Sequence, residues 1–301
     1  MTTKEFAKPN IGFIGMGHMG SHIALRLLAS GYSLTVYDRT MEKTQPAKSH
    51  GAHVAATPRT VAEQSDVILS SVTDDVALQA VMFGPEGILT GARPGTIAIE
   101  MSTVSPTASR HVYEAAKEHG IQMIDAAVSG SVPQVEAGSL VIFVGGEQET
   151  YQACKPILDV LGTSSFYMGP SGMGTTMKLV VNTLLGLNMQ AIAEALILGE
   201  KSGLERAQLI EVLKQTAVIS PRQKVALENA AQREYPANFP LPLMFKDFGL
   251  ILRQASELAV PMPATAAAQQ VYAIAENKGI EEDVAAIIRV MEELAQAGHS
   301  S

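Results

Sequence analysis

The hydrophobic period of this chain changes once, near residue 172, and that change limits the folds open to it. Before it, short apolar runs alternate with stretches of helical spacing. The runs 10–14 (NIGFI), 33–37 (SLTVY), 67–72 (VILSSV), 96–100 (TIAIE), 122–126 (QMIDA), 140–144 (LVIFV) and 164–168 predict strands. Segments 21–30, 105–119 and 150–161 between them predict helices. Such alternation makes a mostly parallel sheet with helices on both faces. After residue 172 only helical spacing remains, in segments 205–217, 222–230, 243–257, 264–278 and 283–297. Pro221, Pro236, Pro240, Pro242, Pro261 and Pro263 act as stops. The reading is an α/β domain over 1–168 and an all-helical domain over 169–301. At the junction Gly169, Pro170, Gly172 and Gly174 punctuate a loop, and a helix runs from about 174 to 202. At roughly 28 residues and about 42 Å it is long enough to be the wall between two domains. Thr175 and Thr176 are the residues able to cap its first turn.

Composition supports two packed domains. Of the 301 residues 47% are hydrophobic and 17% charged, enough for sizeable cores and too little charge for disorder. A net charge of −8 without a basic patch argues against nucleic acid and anionic membranes as partners. The single Cys154 fits a reducing compartment. Residues 1–9 lack the apolar core of a signal peptide. The most apolar long run, 179–198, contains Asn182, Asn188, Gln190 and Glu194, so no membrane span is expected. A cytoplasmic location is expected.

The first strand runs into Gly15-Met16-Gly17-His18-Met19-Gly20, and a helix follows. G-x-G-x-x-G is informative in that setting. Gly15 permits a sharp turn, Gly17 lets the backbone approach a pyrophosphate, and Gly20 lets helix and strand pack closely. The helix N-terminus adds free N–H groups and a partial positive charge. A strand–helix turn without a ligand is the alternative, but Asp38 follows Gly20 by 18 residues, near the place of a ribose-binding acid. Asp38 favours NAD. Arg39 and Thr40 beside it leave room for NADP, since Arg39 can pair with a phosphate. In a parallel sheet the loops starting at Gly15, Asp38, Val72, Met101 and Ala127 should face one crevice, which brings Val72 and Thr73 to the cofactor.

Lys178 and Asn182 lie four apart on an apolar helix, so they share a face. A helix apolar nearly all round is buried, and a buried lysine near a helix N-terminus is disposed to exchange a proton near neutral pH. A solvated stripe is the plainer alternative. In the loop DAAVSGSVPQVEAG, Ser129-Gly130-Ser131 follows a strand, so its N–H groups and hydroxyls can bind a carboxylate; an ordinary Ser/Gly turn is equally consistent with that loop alone. His18 and His22 have metal-ligand spacing but no third ligand near them in sequence, so no metal is expected. Glu281, Glu282, Glu292 and Glu293 read as a solvated helix face.

Four ordered blocks, GFIGMGHMG, DAAVSGSVPQVEAGSL, GPSGMGTTMKLVVN and FKDFGL, resemble the β-hydroxyacid dehydrogenase family, over nearly the whole chain. The resemblance implies an NAD(P)-dependent oxidoreductase with a Rossmann domain and a helical domain. It also implies a small hydroxy acid or semialdehyde as substrate and a homodimer or homotetramer. In it Lys178 is the general acid/base, Asn182 helps hold the substrate, and Ser129, Gly130 and Ser131 grip its carboxylate. Thr103 and Lys246 lie beside the cofactor, with Asp247 next to Lys246. Ala127 stands where the family has proline and Ser131 where it has glycine, which leaves the identity of the acid open. A non-catalytic dinucleotide-binding sensor or scaffold and an imine reductase are the rival readings. The presence of both Lys178 and Asn182 counts against the first, and Lys178 alone counts against the second.

Overall fold

The computed structural model describes residues 8–297, in two compact units that divide between Lys178 and Leu179. The first unit contains strands β1 (Ile11–Ile14), β2 (Leu34–Tyr37), β3 (His53–Val54), β4 (Val67–Ser70), β5 (Ile97–Glu100), β6 (Gln122–Ser129), β7 (Leu140–Gly146) and β8 (Gly162–Gly169). They form one sheet in the order β3-β2-β1-β4-β5-β6-β7-β8. Every neighbouring pair is parallel except β6 with β7. The connecting helices are α1 (His18–Ala29), α2 (Gln45–Ser49), α3 (Pro58–Glu63), α4 (Asp75–Phe83), α5 (Ile88–Gly91), α6 (Pro106–Glu118), α7 (Val132–Ala137) and α8 (Gln148–Leu161). The chain leaves β1 toward β2 on one side and returns to β4 on the other. That reversal places the ligand crevice of such a sheet beyond the carboxyl end of β1.

Register explains why the strands are apolar throughout. Val36, Phe13, Leu69, Ile99 and Ile124 are successive cross-strand neighbours. All five are fully buried in one core on the face that packs α1 and α8. Each such burial stabilises by about 1.5–3 kcal/mol. Side chains alternate between faces, so Ile68, Ala98 and Met123 fill a second core with Val112 of α6 and Leu78 of α4. β3, absent from the sequence reading, is two residues long, and its pairing with β2 alone defines it. β6 runs three residues past the expected end at Ala126, because antiparallel pairing with β7 continues to Ser129. The loop expected to start at Ala127 therefore starts after Ser129.

α9 (Met173–Lys201) contains the division between the units. The second unit adds α10 (Arg206–Gln215), α11 (Pro221–Gln232), α12 (Leu241–Glu257), α13 (Pro263–Asn277) and α14 (Ile287–Ala297). By length and apolar composition α9 would suffice to cross a membrane. Within the second unit, however, Leu179, Met189, Ile192, Ala193 and Leu196 belong to its core. Gly186 lets α12 approach, since a Cβ there would lie 2.4 Å from Phe248 Cζ. Two sequence expectations need correction. Glu292 is buried rather than solvated, because Arg206 and Arg233 donate to its carboxylate at 2.6 and 3.1 Å. The start of α9 is capped not by Thr175 or Thr176 but by Asp125 of β6, which accepts from the N–H groups of Gly172 (2.7 Å) and Thr175 (2.8 Å).

Candidate functional site

The glycine turn makes the sharp bend at Gly15 and the close packing at Gly20 read from its spacing, and leaves open space at Gly17. Gly15 sits at φ +95°, and a Cβ there would be 2.1 Å from the Ser71 carbonyl oxygen. At Gly20 a Cβ would be 1.9 Å from the Gly15 oxygen, so the turn and α1 touch backbone to backbone. Gly17 is different: nothing lies within 4 Å of its absent Cβ. It caps α1 without a side-chain hydrogen bond, and the first turn carries no acidic residue. The helix end thus presents N–H groups and uncompensated positive potential to open space. His18 is the first residue of α1 and exposed, Met19 packs partly on the core, and Met16 is buried.

A cavity of about 370 Å³ opens at this turn. Of the expected cofactor residues, Gly15, Gly17, Asp38, Arg39, Val72 and Thr73 line it. Pro58, Ala77, Ala80 and Val81 form an apolar wall that the sequence reading missed. Lys43 was missed too; it lines the cavity with Arg39, and its position four residues beyond Arg39 was the available signal. Asp38 is buried. One oxygen accepts from Met16 N–H at 2.7 Å and the other from Thr40 N–H at 2.8 Å. A carboxylate has about four acceptor positions, so Asp38 both braces the glycine turn and keeps capacity for a ligand hydroxyl. Thr103 is half-buried after β5 and is not part of this wall.

One residue beyond the apolar row lies a polar one. Ser70 and Glu100 end β4 and β5, and Asp125, midway along β6, is the next cross-strand neighbour; all three are buried. The Ser70 hydroxyl and Ser102 N–H (2.7 Å) donate to Glu100, and Val72 N–H donates to Ser102 Oγ at 2.7 Å. Glu100 therefore ties the loop carrying Val72 and Thr73 to the loop carrying Thr103. Burial pushes the Glu100 carboxyl up from 4.5 to about 7, against the pull of its Ser70 and Ser102 hydrogen bonds. Between these values the folded protein binds more protons than the unfolded chain, so this group's contribution to stability falls as pH rises. The loss is at most about 3 kcal/mol and is complete above about pH 7. Glu100→Gln should therefore gain stability relative to the native protein as pH rises from about 5 to 8. Thermal melts across that range check it; a pH-independent difference would contradict it.

β6 ends at Ser129, half-buried, and Gly130 follows at φ +137°. A Cβ at Gly130 would lie 2.7 Å from Leu140 Cδ2. Ser131 precedes α7, and both its N–H (2.9 Å) and its hydroxyl (2.8 Å) donate to Gln134 Oε1. The hydroxyl this sequence adds at 131 thus serves the start of α7. Lys178, on α9, is 8% exposed. In the second unit Asn182 is fully buried, and its Nδ2 donates to Asp247 Oδ2 at 2.5 Å. Lys246 Nζ lies 3.0 Å from Asp247 Oδ1. An ionised Asp247 can only accept, so it fixes which end of the amide faces it: Nδ2. Asn182 Oδ1 is buried without a partner. Among the described residues no three His, Cys, Asp or Glu side chains converge as metal ligands.

Comparison with known proteins places these features in a family. A family model described as the NAD binding domain of 6-phosphogluconate dehydrogenase matches residues 10–169. Another, described as "NAD-binding of NADP-dependent 3-hydroxyisobutyrate dehydrogenase", matches residues 172–291. The 2-(hydroxymethyl)glutarate dehydrogenase of Eubacterium barkeri is 35% identical over 94% of this chain and 95% of its own length. Glyoxylate/succinic semialdehyde reductase 1 of Arabidopsis thaliana is 35% identical over 93% and 98%. Among solved structures, 3-hydroxyisobutyrate dehydrogenase of Mycobacterium tuberculosis with L-serine superposes with a TM-score of 0.85. It is 27% identical and covers 95% of this chain and 99% of that one.

Proposed function

The chain belongs to the β-hydroxyacid dehydrogenase family, and from that premise we propose that it interconverts a small β- or γ-hydroxy acid and its semialdehyde with NAD(P). The observation that carries the reading is Lys178, 8% exposed on α9, one helical turn before the fully buried Asn182. A lysine so shielded from water is disposed to exchange a proton near neutral pH.

The residues fit the cofactor. A Cβ at Gly17 would fill the one cradle the turn leaves open, the α1 terminus suits a pyrophosphate, and the apolar wall suits a flat base. When bound, the nicotinamide supplies or accepts the hydride. The chain's part is the proton and the geometry. Lys178 donates to the developing alkoxide in reduction and removes the hydroxyl proton in oxidation. Asn182 helps hold the bound acid, its amide being oriented by the bond from Nδ2 to Asp247. Ser129 and the Gly130 turn orient the carboxylate, with Ser131 held in the α7 cap.

We read the cofactor preference as NAD with tolerance of NADP. Asp38 retains acceptor positions for ribose hydroxyls, while Arg39 and Lys43 are exposed cations on the same wall. The test is an assay at about 340 nm. The panel comprises 3-hydroxyisobutyrate, glycerate with tartronate semialdehyde, 4-hydroxybutyrate with succinic semialdehyde, serine and glyoxylate. Turnover of at least one pair, with higher kcat/KM for NAD(H), is expected; higher kcat/KM for NADP(H) would overturn the preference. We also assign the assembly to copies of this chain. Val180, Leu184, Ala191, Ala195 and Leu198 form one exposed apolar face of α9. Light scattering should give two or four times 31.9 kDa; a monomer would refute it.

A further inference from the structure

Asp125 has an environment that no packing requirement of the sheet explains. It is 1% exposed and sits in β6 opposite Gly145 of β7. A Cβ at Gly145 would lie 2.6 Å from Asp125 Oδ1, and one at Gly174 would lie 2.9 Å from Oδ2. Two glycines from different elements thus clear the space that one carboxylate fills. Both of its oxygens reach out of the sheet to the start of α9, to Gly172 N–H and Thr175 N–H, 47 and 50 residues away. A helix start has four N–H groups without partners, and a carboxylate there is favoured by the helix dipole. Two bonds to N–H groups three residues apart set both the height and the rotation of the first turn. Lys178 is three residues beyond Thr175, so its direction is set with them. The same strand ends at Ser129.

We propose that Asp125 is a positioning residue for the reaction: by clamping the first turn of α9 to β6 it aims Lys178 at the oxygen whose proton it exchanges, in register with the loop that follows Ser129. This inference rests on the reading of Lys178 as the acid/base. Burial raises the Asp125 carboxyl, and the two backbone N–H groups pull it back. Both oxygens accept from N–H groups at a helix start, a geometry that favours the charged form.

The test compares three full-length variants with the native protein, each scaled to its number of NAD(P)H-binding sites. Asp125→Asn keeps the size but turns an NH₂ toward one of the two N–H donors. It should lower kcat by about 10- to 100-fold, as expected for a misplacement on the order of 1 Å, with NAD(P)H affinity within about twofold. Loss of a negative charge near the helix start also lowers the lysine's affinity for its proton. The acidic limb of the oxidation pH profile should therefore move down by on the order of half a unit. Gly174→Ala would place a Cβ 2.3 Å from the Phe143 carbonyl oxygen, displacing the helix start while leaving the carboxylate charged. It should lose kcat similarly without moving the limb. It also stands in for Asp125→Asn if that variant fails to fold. Lys178→Ala separates the two claims. If it is inactive while Asp125→Asn and Gly174→Ala keep native kcat per site, the clamp is refuted and the lysine's role stands. Retention of turnover by Lys178→Ala removes the lysine's role itself. A loss in Asp125→Asn confined to melting temperature would make Asp125 merely structural and also overturn the clamp.

Discussion

Replacing Lys178 with alanine should lower turnover by about 10² to 10⁴-fold, the usual worth of a positioned general acid–base, while NAD(P)H binds nearly as before. The separation has a structural reason. Every residue lining the cavity at the glycine turn lies between Ile14 and Glu86, on the loops and helices around β1, β2 and β4. Lys178 lies on α9. Truncation there removes a proton donor without touching the cavity wall. A melting curve of the variant, run beside the kinetics, separates lost chemistry from lost folding. Stopped assays of hydride transfer, with cofactor affinity from nicotinamide fluorescence, measure both quantities. A variant with more than about a tenth of native turnover would fall outside the range for a general acid–base and place the proton elsewhere.

The second large effect is a contrast between two glycines two positions apart. Gly15→Ala should cost about 3–5 kcal/mol, because left-handed backbone alone costs 1–2 and the Cβ also meets a main-chain oxygen. That oxygen belongs to Ser71, immediately after β4, so relief requires the ends of β1 and β4 to part. Their separation would open the core where Phe13 meets Leu69. The melting temperature should fall by roughly 10 °C. Gly17→Ala has nothing within 4 Å to meet, so its melting temperature should stay within about 2 °C of native. Yet the methyl group occupies the cradle beside the α1 terminus, and NAD(P)H affinity should drop about tenfold or more. Calorimetry and fluorescence titration on the two variants decide it. Equal melting losses would contradict the packing contrast, and unchanged affinity in Gly17→Ala would mean that the phosphates lie elsewhere.

Much of the architecture was legible because burial on both faces leaves continuous apolar strands, and because glycine spacing and helical period are local properties. The alternation up to residue 168 and the helical remainder were readable on that basis, as was α9 with its buried Lys178. Long-range partners were not. Nothing local to Asp125 reveals its role, because the donors that define it lie 47 and 50 residues away. Thr175 was read as a helix cap from its own side chain, whereas its N–H is capped by that carboxylate. Glu292 looked solvated because its sequence neighbourhood is acidic, but Arg206 and Arg233 reach it from α10 and from the residue after α11. Glu100 ends an otherwise apolar strand, and only the register with Ser70 and Asp125 shows that it belongs to a buried polar row. Ser131 shows the local limit: its hydroxyl was visible, but Gln134 three residues on decides where it points.

The most direct measurement is isotope transfer. The best hydroxy acid from the panel, deuterated at the carbinol carbon, would be incubated with the purified protein and oxidised cofactor, and the reduced nicotinamide examined by mass spectrometry. One deuterium per turnover in the native protein, with the yield collapsing in Lys178→Ala, is the predicted result. Tight cofactor binding with no label transferred from any acid in the panel would contradict the account and leave a dinucleotide-binding protein without this chemistry.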